Sequence, residues 1–250
     1  MKKIVANLKM NKTIDETKEY LINIISNADI SKAEITLCLP FTSLALGKML
    51  LEGTKIHLGA QNVADEESGS CTGEVSGAML ANAGVEYVIV GNSERRSKFK
   101  ENNKIINKKI KIALKNRLKV ILCVGETLAD KNGMKTFEAI KDQLVECLKG
   151  LYENELENIF IAYEPLWAIG SGKNATVKEI EYAVKAIRKV LSSEFSPKAG
   201  KATCVLYGGS VDVKNFPTII KVAGVSGVLV GKACLDARNI VQMSAMSNLN

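Results

Sequence analysis

Short runs rich in Val, Ile and Leu alternate with longer stretches of helical period from one end of the chain to the other. The short runs predict strands at Ile4–Asn7, Ile35–Leu39, Ile56–Gln61, Tyr87–Val90, Val120–Val124, Ile159–Tyr163, Thr203–Leu206 and Gly227–Val230. Between them the periodic stretches predict helices near 15–26, 43–51, 76–83, 102–116, 136–149, 177–192 and 213–221, with another after 235. Two of these helices open on Thr13-x-x-Glu16 and Thr176-x-x-Glu179, a reciprocal cap in which each side chain satisfies a first-turn N–H.

Strands that are apolar throughout and separated by helices imply a parallel sheet covered on both faces. Eight such units in 250 residues fit a closed (β/α)8 barrel, a single α/β domain over 1–243 with a frayed tail from Ser244 to Asn250. The doubly wound open sheet is the competitor, and no glycine-rich dinucleotide fingerprint follows the first strand.

Composition narrows the class further. With 46% hydrophobic and 24% charged residues the chain can bury a large core and is not of disordered composition. Its apolar runs are strand-sized, well short of the roughly 18–20 residues a membrane span requires, so no membrane partner is expected. Asn7, Lys9, Asn11 and Lys12 interrupt what would be the apolar stretch of a signal peptide after Lys2 and Lys3, which predicts a cytoplasmic protein. The six cysteines lie far apart with no C-x-x-C pair, so buried free thiols are expected rather than a zinc site or disulfide framework. The net charge of +7 is mild, and its densest cluster, Lys108, Lys109 and Lys111, reads as the solvated face of a helix without the interleaved aromatics of a nucleic-acid site. A modest positive field also draws in small anions.

In such a barrel, functional groups gather just after the strands. Asn7, Lys9 and Asn11 follow the first strand, Gln61 and Asn62 the third, and Asn92, Ser93 and Glu94 the fourth. Glycine-bearing loops follow strands six, seven and eight (Gly170-Ser-Gly-Lys173, Gly208-Gly-Ser210, Gly231-Lys232). Any one could be a tight βα turn; three converging loops read as a phosphate cradle, because glycine lets backbone N–H groups approach an anion. Gly170–Lys173 is no Walker A loop, since Asn174 stands where Ser or Thr is needed. Glu164 ends an apolar strand at the barrel mouth beside Pro165, where partial desolvation would raise its pKa toward that of a general base; a rim salt bridge is the plainer alternative. Lys9 can set a positive charge beside a developing oxyanion, or be an ordinary surface lysine.

Taken together, Asn7-Leu-Lys9-Met-Asn11, Gly59-Ala-Gln-Asn62, Cys71-Thr-Gly-Glu74, Ser93-Glu-Arg-Arg96, Cys123-Val-Gly-Glu126, Ala162-Tyr-Glu-Pro-Leu-Trp-Ala-Ile-Gly-Ser-Gly-Lys173, Tyr207-Gly-Gly-Ser-Val211 and Gly227-Val-Leu-Val-Gly231 resemble the triosephosphate isomerase family in order and spacing over essentially the whole chain. The resemblance implies interconversion of dihydroxyacetone phosphate and D-glyceraldehyde 3-phosphate, a step of glycolysis and gluconeogenesis, without cofactor or metal. It makes Glu164 the base, Lys9 the group that stabilises the enediolate with help from Asn7, and Glu94 the carboxylate behind the electrophile. It makes residues 165–175 a lid that excludes water and holds phosphate near Gly170, with Ser210, Gly231 and Lys232 completing the phosphate site. Tyr207 and Ser210 resemble the latch of the closed lid, and Glu126 with Trp167 the pair that positions it open. Residues 62–75 resemble the loop that carries Thr72 to a neighbour's active site, so a homodimer is implied.

Two positions depart from the family. Asn92 stands where the family has a histidine before Ser-Glu-Arg-Arg, and the resemblance implies a glutamate base paired with a neutral histidine electrophile at that position. An asparagine amide can polarise a carbonyl but cannot relay a proton between two substrate oxygens, so reduced turnover is expected. The sole histidine, His57, lies too early in its strand to reach the mouth and reads as structural. Lys232 replaces the second glycine of a Gly-Gly pair: a positive φ there would strain the turn, whereas a negative φ leaves the N–H able to donate and adds an ammonium. Two other functions compatible with these changes are isomerisation of another small phosphorylated ketose and non-catalytic binding of phosphorylated metabolites.

Overall fold

The computed structural model describes residues 1–168 and 174–248. Eight parallel strands, β1 (Lys2–Asn7), β2 (Ala33–Leu39), β3 (His57–Ala60), β4 (Tyr87–Val90), β5 (Lys119–Val124), β6 (Ile159–Tyr163), β7 (Cys204–Tyr207) and β8 (Gly227–Val230), pair in chain order and close through β1 and β8. Among the described residues the helices are α1 (Ile14–Asn27), α2 (Leu44–Leu51), α3 (Gly77–Asn82), α4 (Ser93–Lys98), α5 (Asn103–Lys115), α6 (Leu128–Asn132), α7 (Thr136–Cys147), α8 (Val177–Glu194), α9 (Pro197–Ala202), α10 (Phe216–Ile220) and α11 (Ala237–Met246). The closed barrel is therefore the fold, as the alternation of apolar runs and amphipathic stretches predicts.

The two faces of each strand explain why the runs are apolar throughout. Val5, Cys38, Ile89, Ile121, Cys123, Phe160, Ala162, Leu206 and Leu229 form one cluster inside the barrel. Their neighbours Ile4, Ala6, Leu37, Val88, Val90, Leu122, Ile161, Val205 and Val228 pack in a second cluster with Leu21, Ile24, Ile110, Ile187 and Ile240 of the helices. Full burial of each larger apolar side chain contributes about 1.5–3 kcal/mol, so both faces are needed and no strand can tolerate a polar run.

Three short helices escape the periodicity because each is set by its cap rather than by an apolar stripe. Asn92 caps α4 by accepting from the Glu94 N–H, Thr127 and Asp130 form a reciprocal cap on α6, and Ser196 with Pro197 in the first turn starts α9. The C-terminus also packs further than predicted: α11 runs through Met246, Ser244 and Ser247 are buried, and Ser244 Oγ accepts from the Asp29 N–H at 2.9 Å.

Polar groups close the end of the barrel opposite the mouth. There Lys3 pairs with Glu34, the Tyr87 hydroxyl donates to Glu34 at 3.0 Å, and His57 Nδ1 lies 2.8 Å from Glu86 Oε2, which agrees with a structural histidine. Four cysteines, Cys38, Cys123, Cys147 and Cys234, are buried; Cys204 is half-buried, and Cys71 is exposed, contrary to expectation, because it lies at the tip of the 62–75 loop.

The lysine cluster of α5 is not one solvated face. Lys108 is exposed, but Lys109 points inward, 2.5 Å from Glu101 Oε1 and 2.8 Å from Asn62 Oδ1, with both charged side chains almost fully buried. The period of α5 puts Lys109 beside Ile106, Ile110 and Ala113, and Glu101 also receives Arg95 at 2.6 Å. Breaking such a pair by removing one partner leaves an uncompensated charge. Replacing Lys109 with Met is expected to cost about 3 kcal/mol of unfolding free energy, at the low end for a buried pair because Arg95 still serves Glu101; urea denaturation checks this.

Candidate active site

The mouth of the barrel encloses a cavity of about 480 Å³. Asn7, Lys9, Asn92, Ser93, Glu94 and Glu164 line one part of it, and Gly208–Val211, Gly231 and Lys232 another. Loops after β1, β4, β6, β7 and β8 are thus gathered at the end where a βα barrel gathers its functional groups. A hollow of equal volume lies under β6 and β7, where Leu156, Ile159, Phe160, Ala199 and Ala202 line it, but it brings no buried carboxylate into reach.

Glu164 follows the last residue of β6 and is 4% exposed. Its backbone fixes its place: the N–H donates to Val124 O at 2.7 Å, while Gly125 packs so tightly against it that a methyl group there would fall 1.9 Å from the Glu164 carbonyl oxygen. The carboxylate accepts from Asn92 Nδ2 at 2.8 Å and from the Ser93 N–H at 3.0 Å. Burial pushes its pKa up, while the Ser93 N–H, the nearby Lys9 charge and Asn92 pull it partly back. No described residue forms a salt bridge to Glu164, so the rim ion pair considered from sequence is not the arrangement seen; Lys173, one proposed partner, lies outside the described residues.

Asn92 is oriented by its own helix. Its Oδ1 accepts from the Glu94 N–H at 3.0 Å, so Nδ2 is left to face the cavity and the carboxylate. Lys9 lies opposite, in the left-handed region at φ 54°, where the Asn7 side chain accepts its N–H at 3.0 Å. This strained turn carries the ammonium to 2.5 Å from Glu94 Oε1. Asn7, Lys9, Asn92, Glu94 and Glu164 therefore come together as the sequence predicts.

Ser210, Gly231 and Lys232 line the far side of the cavity. Lys232 opens a short 3-10 turn and is not among the residues with positive φ, so the strained alternative does not arise. Gly170 lies outside the described residues. After β6, Pro165 follows Glu164, and Trp167 Nε1 donates to Glu126 Oε1 at 2.7 Å, an oxygen that also receives the Tyr163 hydroxyl at 3.0 Å. Lys131 sits 3.2 Å from the centre of the Trp167 ring. Burial raises the Glu126 pKa and lifts Tyr207 to about 12. Tyr207 packs against Gly209, where a Cβ would fall 2.2 Å from its hydroxyl oxygen. Thr72 is exposed and does not line this chain's own cavity.

Lys98 was not anticipated, yet it lines the same cavity. The signal was present: it stands four residues after Glu94 on a helix that Asn92 caps, hence on Glu94's face.

The model of the triosephosphate isomerase family matches residues 2–247 of this chain. The chain belongs to the triosephosphate isomerase family. Curated triosephosphate isomerases from Alkaliphilus metalliredigens and Symbiobacterium thermophilum are 42% identical over 234 residues (94% of each chain) and 40% identical over 243 residues (97% of this chain, 95% of theirs). The enzyme of that name from Clostridium tetani is 40% identical over 236 residues, 94% of this chain and 92% of its own. Triosephosphate isomerase membership accounts for a mouth that joins a buried carboxylate, a lysine and glycine-rich loops.

Because burial raises Glu164, the acid limb of kcat/KM is expected to have its midpoint above the ordinary glutamate value of about 4.3. A pH–rate profile, read beside the phosphorus NMR titration of the substrate's own phosphate, separates the enzyme group from the ligand's.

Proposed function

We propose that this chain interconverts dihydroxyacetone phosphate and D-glyceraldehyde 3-phosphate, with Glu164 as base, Lys9, Asn7, Asn92 and Glu94 around the reacting carbons, and turnover reduced by Asn92. The observation that carries the reading is the buried Glu164 carboxylate facing Asn92 Nδ2 and the Lys9–Glu94 pair across one cavity. Glu164 removes the proton on the carbon next to the carbonyl, the electron pair moves onto the carbonyl oxygen, and the Lys9 ammonium stabilises the resulting enediolate. The same carboxyl then returns a proton to the neighbouring carbon. To do so it must leave Ser93 and Asn92, which frees Nδ2 to donate to the substrate oxygen.

Asn92 polarises that oxygen but carries no proton that moves at accessible pKa, so transfer between the two oxygens runs through another group or solvent. Acid–base assistance is worth roughly 10² to 10⁴ in rate, about 2.7–5.4 kcal/mol of barrier, and that sets the size of the deficit. Ser210, Gly231 and Lys232 hold the phosphate. Closure of the lid at 165–175 completes the site, with Trp167 and Glu126 as its open anchor and Tyr207 as its latch. The whole set serves proton abstraction, which a non-catalytic binder has no use for, and family membership favours triose phosphate over another phosphorylated ketose.

Asn92→His is expected to raise kcat on triose phosphate by roughly 10² to 10⁴ in a coupled assay. Glu164→Gln, purified in parallel, is expected to abolish turnover, and equal rates in both proteins would mean the activity is a host contaminant.

We further propose a homodimer in which the 62–75 loop brings Thr72 to the partner's mouth, in a protein that works in the cytoplasm. Supporting this, Met10, Phe41, Met49, Met79 and Phe99 are all exposed in the β1–β4 half of the chain, the half from which that loop projects. Sedimentation at micromolar concentration is expected to give twice the 27.1 kDa chain mass, and a monomeric mass would refute the dimer.

A further inference from the structure

The hollow under β6 and β7 opens at the base of the barrel, between a 3-10 turn at Glu153–Asn158 and α9. Its volume of about 480 Å³ is within the range of small-molecule sites. The floor is apolar, with Leu156, Ile159, Phe160 and Ala199 each less than a tenth exposed. Its polar groups are committed or uncharged: the Thr203 hydroxyl donates to Ala199 O at 2.8 Å, and burial pushes the Cys204 thiol up, which keeps it neutral. The Lys3 ammonium, 5.2 Å from the centre of the Phe160 ring, is taken by Glu34. Charge sits on the walls instead. Glu153 and Glu157 line the hollow from the 3-10 turn and Lys198 from α9. The Glu157 and Lys198 side chains make no hydrogen bond or ion pair among the described residues, and Glu153 only accepts the Ser196 hydroxyl at 2.5 Å. Two carboxylates against one ammonium leave the lining with one negative charge in a chain of +7. All of these lining residues lie between 153 and 204, outside the β1–β4 half given to the proposed dimer.

We propose that this hollow is a second ligand site, one that takes a small organic cation with a compact apolar body and an ammonium head. The body displaces water from Leu156, Ile159 and Phe160, where no unpaired polar group asks for a partner. The head donates to Glu157 and Glu153 at the rim. A ligand of the same shape with an anionic head meets two carboxylates and a single ammonium, and is disfavoured. The site is separate from the mouth: Glu164 and Gly208 stand four residues beyond Phe160 and Cys204 along β6 and β7, roughly 13 Å at the rise of a strand. A ligand of this size does not reach both ends, so the inference stands apart from the isomerase reading.

The test is calorimetric titration of phenethylammonium near neutral pH into the wild type, Glu157→Gln, Lys198→Met and Ala202→Trp, with 3-phenylpropionate, the same body with an anionic head, as the control. The wild type is expected to bind phenethylammonium with a Kd on the order of 1 mM and 3-phenylpropionate roughly tenfold more weakly. Glu157→Gln is expected to weaken the cation about threefold, and Lys198→Met to tighten it about threefold, a gain that misfolding cannot imitate; both effects shrink in high salt. Ala202→Trp, on the exposed last residue of α9, fills the hollow and abolishes binding. Glu164→Gln binds the cation as the wild type does, whatever its turnover, and inorganic phosphate does not displace the cation. Equal binding of the two heads overturns the charge selection. Binding that survives Ala202→Trp, or that phosphate displaces, puts the cation elsewhere and overturns the site, and so does a wild type that binds neither compound.

Discussion

A carboxylate kept almost out of water at the end of β6 is the interaction around which the rest of this molecule is arranged. Ionised Glu164 is costly there, so the fold surrounds it with donors: the Ser93 N–H, Asn92 Nδ2 and, across the cavity, Lys9. The cost has a sign. The folded value is raised above that of the unfolded chain, so the native state holds the proton more tightly, and stability falls as pH rises through the interval between the two values. A carboxylate that reduces stability at neutral pH while lining a cavity is a candidate for chemistry rather than for packing.

Holding that carboxylate requires the barrel's closure. The Glu164 backbone is pinned by Val124 of β5, by Gly125 with no room for a methyl group, and by Gly208, whose N–H donates to Tyr163 O at 2.8 Å. Each neighbouring strand supplies one restraint, and the strands are kept in register by side chains on both faces. The buried Lys109–Glu101 pair extends the same logic outward: it ties α5 to Asn62, the residue from which the 62–75 loop departs, and Arg95 ties α4 to Glu101. Glu164, α4 and the start of the 62–75 loop are thereby linked through one chain of hydrogen bonds and ion pairs.

The strands were legible as continuous apolar runs, because burial is nearly complete on both sheet faces, and the long helices by their period of 3.6 residues. Gly227–Val230 and Tyr87–Val90 could be placed to the residue for that reason. The helices α4, α6 and α9 carry no apolar stripe and rest on caps, so a reading by periodicity passes over them. Lys109 misled because a lysine in a basic run looks solvated; only the burial of its neighbours Ile106 and Ile110 and the distant Glu101 reveal it as a core charge. At the mouth, residue types gave Glu164, Lys9 and the glycine loops, whereas Lys98 required knowing that α4 begins at Ser93 and so places position 98 over Glu94.

In the proposed reaction Asn92 and Lys232 act on different free energies, and neither can substitute for the other. An ammonium at the phosphate end meets the same charge in the bound substrate and in the transition state, so it lowers KM without lowering the barrier that follows binding. An asparagine in place of a proton-relaying group withholds an interaction made only as charge develops on the reacting oxygens, which raises that barrier and leaves binding untouched. The Oδ1 of Asn92 is committed to capping α4, so the side chain cannot turn to offer a second kind of contact to the substrate. On the proposed reading, the mouth holds its phosphate ester well and converts it slowly, a combination that separates affinity from turnover within one cavity.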